Sequence, residues 1–395
     1  MKEALFAHVD GLAPELCDIA DKLYDDPELG MEEFHASDTI CTYLENQGFS
    51  VERGVGGIPT AFRAVWKNGE GGPRVGLLCE YDALAGLGHA CGHHMQGPIM
   101  LGASTAIKEL LPADMPYTLV VYGTPDEEGR GPGGKIAMIE NGCFRDIDCV
   151  ITSHGGAETT TDLRTYARIK YRVKWSGRAA HAAAHPEKGR SAVDAMLLTM
   201  TALEYMREHT SDDTRMHYAP IHAGHVKPNI VPESAEAEIV LRCMRQSYLD
   251  DMKKRFMDIL EGTALMTETT YECEVRSEYK ARFPNPTMVD LFYKNAELAG
   301  CVRIEEPRKH VGSSDFGNVV QLVPGVGCRI GFAPKGTGAH SRDWLNIGKD
   351  PCAHECVRTG ARTVAGIVYD IVSNPEILEK IRADYAVEKA ASNAN

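Results

Sequence analysis

Apolar side chains near the start recur at helical intervals: Leu12, Leu16, Ile19 and Leu23 fall three or four residues apart within "MKEALFAHVDGLAPELCDIADKLYDD". That spacing predicts an amphipathic helix. From residue 74 the rhythm changes to short apolar runs, each followed by a polar burst and then a helical stretch. "RVGLLCE" leads through "YDALAGLGHACGHH" to "PIMLGASTAIKELL", and "YTLVVYGT" leads through "PDEEGRGPGG" to "KIAMIENG", where Gly142 reads as a helix stop. "DCVITS" runs into "HGG". This succession predicts an α/β fold with a mixed sheet covered by helices on both faces. Ligands of such sheets bind beyond the carboxyl ends of the strands, where this chain concentrates its polar chemistry.

Between about 166 and 278 the pattern is different. "YARIKYRVKW" alternates, with Tyr171, Val173 and Trp175 on one side and Lys170, Arg172 and Lys174 on the other, as a half-buried antiparallel strand should. A helix at "SAVDAMLLTMTALEYM", strands near "YAPIHAGHVK" and "SAEAEIVLR", a helix at "YLDDMKKRFMDILEGTAL" and a strand at "YECEVRS" complete the order βαββαβ. That order predicts a ferredoxin-like module over 166–278, inserted into a discontinuous larger domain of 1–165 and 279–395.

A length of 395 residues suits two domains. The formal charge of −14, with no basic run to offset it, disfavours nucleic acid and anionic membranes as partners. No stretch approaches the roughly 20 apolar residues that cross a bilayer. The start lacks the apolar core and cleavage site of a secretory signal, so the expected location is the cytoplasm. Twelve scattered cysteines without a C-x-x-C pair are expected to be reduced. "PCAHEC" supplies too few ligands to bind metal by itself.

Cys91, His93, Glu127, Glu128, His154 and His340 stand at successive strand ends. Thiolate, imidazole and carboxylate are ligands that borderline divalent cations such as zinc accept. One such histidine is ordinarily a solvated or satisfied side chain; several independent strand ends are a stronger pattern. Glu127 and Glu128 repel one another, and a dication would relieve this by binding one and leaving the other to accept a proton from activated water. A solvated charged loop also accounts for "DEE" taken alone.

In order along the chain, "EYDALAGLGHACGHH", "GTPDEEGRGPGGKI", "SHGG", "GRAAHAAAHPEKGRSAVDA", "VKPNIVPESAEAEIVLR", "GSSDFGNVV" and "GAHS" resemble the aminoacylase and carboxypeptidase family of metallopeptidases. They are most similar to its amidohydrolase branch, which includes hippurate hydrolases, plant indole-acetyl-amino-acid hydrolases and aminobenzoyl-glutamate hydrolase. The resemblance runs from about residue 20 to 370. It implies that Cys91, His93, Glu128, His154 and His340 hold one or two divalent ions per subunit, zinc or manganese first, with cobalt and nickel open. Cys91 stands where relatives have a metal-bridging aspartate. Glu127 resembles the general base, and Asp82 the aspartate that orients a ligand.

The resemblance also implies a homodimer in which 166–278 is a lid and dimerisation domain that lends His181 to the neighbouring active site, to stabilise an oxyanion. Asn229 and Arg242 match positions that hold the carboxylate of the substrate, a role for which Arg is chemically suited. The implied activity is metal-dependent hydrolysis of an N-acyl amino acid, a dipeptide or an aminobenzoyl-glutamate-like amide with a free carboxylate. A non-hydrolytic metal-dependent binding protein for acyl amino acids, and an aminopeptidase, stay open as alternatives. Two departures matter: His94 follows "CGH", leaving an exchange of roles with His93 open, and Glu80 stands where much of the wider family has a histidine ligand. His89 is expected to be structural, and His217, His222 and His225 to lie on a surface or interface.

Overall fold

Two sheets organise the chain. Its strands are β1 (Ser50–Arg53), β2 (Phe62–Asn68), β3 (Arg74–Cys79), β4 (Tyr117–Gly123), β5 (Cys149–Gly156), β6 (Thr160–Thr161), β7 (Ala167–Ser176), β8 (Thr214–Ala223), β9 (Ser234–Cys243), β10 (Thr270–Tyr279) and β11 (Gly325–Gly331). The helices are α1 (Lys2–Asp25), α2 (Phe34–Asn46), α3 (Gln96–Leu110), α4 (Gly134–Glu140), α5 (Ala192–Glu208), α6 (Gln246–Thr267), α7 (Pro286–Ala299), α8 (Phe316–Val320), α9 (Arg342–Asn346), α10 (Pro351–Ser373) and α11 (Pro375–Asn393). The computed structural model describes residues 1–129, 133–224, 227–309 and 311–393. Two compact units result, one of Met1–Arg164 with Arg282–Ala391 and another around Thr165–Ala281.

The first unit holds a seven-stranded mixed sheet in the order β1-β2-β4-β3-β5-β11-β6. β4, β3, β5 and β11 run parallel, while β1, β2 and β6 pair antiparallel at the margins. Every residue of β4 is buried, because alternate side chains enter two different cores. Leu119 and Val121 pack with α3, α10 and α1 through Ile99, Val364 and Leu16, whereas Val120 and Tyr122 pack with Met138 of α4 and Val319 of α8. The expected N-terminal helix is present, with Leu16, Ile19 and Leu23 buried. β1 and β2 extend the sheet ahead of the run predicted from residue 74. β5 continues through His154, Gly155 and Gly156, which the sequence suggested as a loop.

The second unit is an antiparallel sheet, β10-β7-β9-β8, with α5 and α6, in the predicted order βαββαβ. β7 alternates as expected: Tyr171, Val173 and Trp175 are buried with Ile239 and Leu241 of β9, Met196 and Leu203 of α5 and Phe256 of α6. Trp175 is 1% exposed. Trp175→Ala should therefore lower stability by about 3–5 kcal/mol, since burial is lost and a cavity remains. A denaturant midpoint unchanged from wild type would refute that packing.

Candidate metal centre

The parallel strands deliver their polar chemistry to a common place. β3 ends at Cys79 and is followed by Glu80 and Asp82, then by Cys91 and His93 before α3; β4 is followed by Asp126, Glu127 and Glu128; β5 carries His154; β11 precedes His340. Among the described residues three groups of donor atoms result, each with its atoms within 4.8 Å of one another: Cys91, His93 and His154; Cys91, Glu128 and His340; Glu80, His93 and Glu127. Cys91 belongs to two groups, so its sulfur stands between two sets of donors. Sharp backbone turns build the loops. Gly92 has φ +90°, and Asp126 and His340 adopt φ 60° and 64°, strained values for non-glycine residues of the kind that cluster at functional sites.

Asp82 ties two of the loops together. Its Oδ1 accepts from His93 Nδ1 at 2.8 Å, and its Oδ2 accepts from the Glu128 backbone N–H at 2.8 Å. His93 Nδ1 is thereby the protonated nitrogen, and Nε2, buried and without a hydrogen-bond partner, faces the donor groups. An orphaned imidazole nitrogen beside a cysteine sulfur and carboxylates is what a cation ligand requires, so the residues fit a bound divalent metal. Glu33 supports the acidic loop from behind: it accepts from the Asp126 N–H and from the Thr60 hydroxyl, both at 2.9 Å. Burial pushes its carboxyl up to about 7.

The other donors have distinct electrostatic settings. His154 Nδ1 donates to the Gly155 carbonyl at 2.7 Å, leaving Nε2 3.3 Å from Cys91 Sγ. Burial, then the Arg329 guanidinium and His93, push His154 down to about 3, so its imidazole stays neutral, the form that ligates. His340 is half exposed, with Nε2 3.1 Å from Glu128 Oε1, and its bonds to Cys91 and Glu128 raise it to about 10. Burial opposes ionisation of Glu128, yet His340 and His93 outweigh it and hold the carboxyl at about 2. Glu127 is the opposite case: burial, then repulsion from Glu80 and Asp315, raise it to about 8. Its carboxyl thus holds a proton more readily than an ordinary glutamate.

His94 is turned away. Its Nε2 bonds to the Gly348 carbonyl at 2.8 Å and its ring packs against Tyr24 and His89, so His93 alone of the pair enters the donor groups. His89 is buried beside it. Glu80 lies near the cluster, but both its oxygens are engaged. Oε1 is 2.8 Å from Lys135 Nζ, and Oε2 accepts from Gln96 Nε2 at 2.7 Å. Sequence reasoning missed Lys135, Asp315, Gln96 and Glu33. The one signal for Lys135 was a charge opening the otherwise apolar "KIAMI", in the first turn of a helix where a cation is disfavoured.

In the second unit, His181 and Asn229 stand together. The His181 and Ile230 backbones form a bridge, and the Ala182 N–H donates to the Asn229 carbonyl at 3.0 Å. Both side chains are exposed, and His181 Nδ1 accepts from the Ala184 N–H at 3.2 Å. Arg242 is elsewhere. It pairs across β9 with Arg168 and Arg215, whereas Ser234 begins the strand near the Asn229 end. Eight extended steps from Ser234 to Arg242, at roughly 3.3 Å each, separate them by roughly 26 Å. Asn229 and Arg242 of one chain therefore do not form a single fork. His217 and His222 are exposed on β8, while His225 lies outside the described residues.

Comparison with known proteins gives a consistent result. The sequence profile of Peptidase family M20/M25/M40 matches residues 77–365. One of the subunits of the p-aminobenzoyl-glutamate hydrolase of Escherichia coli (strain K12) is 38% identical over 296 residues, covering 70% of this chain and 61% of that protein, so the match spans under two thirds of its length. The Xaa-Arg dipeptidase of Mus musculus is 32% identical over 402 residues, covering 98% of this chain and 92% of the relative. Among solved structures, an aminobenzoyl-glutamate utilization protein from Klebsiella pneumoniae superposes with a TM-score of 0.73 at 20% identity, covering 94% of this chain and 98% of the other. A dinuclear metal-binding peptidase of the M20 family from Bacillus subtilis gives 0.67 at 16% identity, covering 92% and 99%. The two structures share the fold.

Proposed function

The chain belongs to Peptidase family M20/M25/M40, and from that premise we propose that it is a metal-dependent amidohydrolase. Its substrate is an N-acyl amino acid, a dipeptide or an aminobenzoyl-glutamate-like amide that ends in a free carboxylate. Relatives named for p-aminobenzoyl-glutamate and Xaa-Arg dipeptides support that substrate class. The observation that carries the reading is the meeting of three donor groups of metal-ligand type at the strand ends, with Cys91 shared by two of them and Glu127 in the third.

Cys91, His93, Glu128, His154 and His340 would hold one or two divalent cations, with zinc or manganese favoured by the mixed thiolate, imidazole and carboxylate set and cobalt or nickel also accommodated. Such a cation supplies Lewis acidity and a water of lowered pKa. Glu127 takes the proton of the attacking water and returns it to the leaving amine nitrogen, so the same carboxyl serves as base and then acid. Asp82 holds His93 and Glu128 in their bonding orientations. His181, exposed and with its Nδ1 engaged by backbone N–H groups, donates to the oxyanion from the small domain of a neighbouring subunit. Asn229 and Arg242 lie at opposite ends of the small sheet, so they bind one substrate carboxylate only as contributions of two different subunits. A homodimer in the cytoplasm is the proposed assembly and setting. β8 supports the dimer as an edge strand with Tyr218 and Ile221 exposed. No described helix is long and apolar enough to cross a membrane.

Recognition of the carboxylate is tested with an N-acyl amino acid and its carboxamide. Wild type should lose about 10–150-fold in kcat/KM on the amide, the worth of a charge-assisted hydrogen bond, and Arg242→Ala should erase most of that preference. Equal rates on both substrates in wild type would remove the carboxylate from the proposal.

A further inference from the structure

Lys135 is wholly buried in the first turn of α4, within reach of the donor cluster. Its Nζ lies 2.8 Å from Glu80 Oε1 and 2.6 Å from Asp315 Oδ1, and its backbone N–H donates to Asp315 Oδ2 at 3.3 Å. Gln96 completes the shell around Glu80, donating from Nε2 to Oε2 at 2.7 Å and accepting the Glu80 N–H at 3.1 Å. α4 is also fixed against the acidic loop. A Cβ on Gly134 would lie 2.0 Å from the Pro125 carbonyl, two residues before Glu127, so the start of the helix and the loop touch with no side chain between them.

The group Glu80, His93 and Glu127 brings two carboxylates and an imidazole within the same 4.8 Å as the two groups that contain Cys91, but it has no thiol and shares His93 with Cys91 and His154. It is also set apart by the ammonium of Lys135. We propose that Lys135 is a positioning residue that supplies a fixed protein cation to the Glu80–His93–Glu127 group, confining metal to the Cys91-containing groups, keeping Glu80 from ligation and leaving Glu127 uncoordinated for proton transfer. Charge and occupancy both point this way. Glu80 has given one oxygen to Lys135 and the other to Gln96, and a second cation beside the buried ammonium would meet it as a like charge where screening is weak. Without Lys135, two buried carboxylates, Glu80 and Asp315, lose their counter-ion, and a divalent cation becomes the means of restoring it.

This inference rests on the proposed metal-dependent reading, and the test separates the two. Metal-stripped wild type, Lys135→Met, Glu80→Gln and the double variant are titrated with cobalt, and bound ions per chain are counted after gel filtration, with the visible cobalt absorption recorded. Lys135→Met should bind one ion more than wild type, with a new absorption band, and the double variant should return to the wild-type count. Glu80→Gln alone should keep the wild-type count. For Lys135→Met, kcat should fall by about 10–100-fold with KM within about threefold, the signature of a group that acts on the reacting atoms through another. An unchanged ion count in folded Lys135→Met, or loss of an ion in Glu80→Gln, would overturn the inference. Should Lys135→Met fail to fold, the Glu80→Gln count decides alone. Wild type that takes up no cation at all would instead refute the metal-dependent reading.

Discussion

Glu127→Gln is expected to lower kcat by about 10²–10⁴-fold while the protein still binds its metal. The amide keeps the size and hydrogen-bonding reach of the carboxyl but cannot take a proton. Because Glu127 is partly buried and faces Glu80 and Asp315, its ionisation is resisted until about 8, and a bound dication nearby would ease it downward. The ascending limb of kcat/KM against pH should therefore report this carboxyl in wild type and vanish in the variant. Metal content measured alongside distinguishes the base from a ligand. A Glu127→Gln protein with near-normal turnover would refute the assignment, and one that has lost its metal would make Glu127 a ligand instead.

The second large effect is expected at Asp82. Its two oxygens hold His93 and the Glu128 backbone, so one side chain sets the direction of two donor-bearing segments that follow different strands. Asp82→Ala leaves His93 free to rotate and to place its proton on the wrong nitrogen, and releases the acidic loop. Metal affinity should fall by about 10–100-fold, read by competition with a chromophoric chelator. Activity should recover partly at high metal concentration, which a general failure to fold would not permit. An affinity equal to wild type would show that the ligands hold their orientation without Asp82.

The parallel core and the small antiparallel sheet were legible because their apolar periods differ, near-continuous in β3 and β4 and alternating in β7. The donor residues were legible because strand ends are local features of sequence. Other features depend on distance in the chain. Asp315 reaches Lys135 across 180 positions, and no local pattern announces such a pair. His154 seemed to begin a loop because two glycines follow it, yet Gly155 and Gly156 keep register with Ile330 and Gly331 and extend the strand. Asn229 and Arg242 are close in sequence, but an extended strand converts that closeness into separation. His93 and His94 differ in tertiary partners, since Gly348 and Tyr24 draw His94 away from the donor groups that His93 joins, and no local pattern announces that difference.

The most direct test of the central claim is amine release from a panel of N-acyl amino acids, dipeptides and aminobenzoyl-glutamate, using metal-stripped protein with and without zinc, manganese or cobalt. The account predicts no turnover by the stripped protein and restoration by added cation on at least one carboxylate-ended amide. Metal uptake without hydrolysis of any member of the panel would contradict it and favour a binding protein.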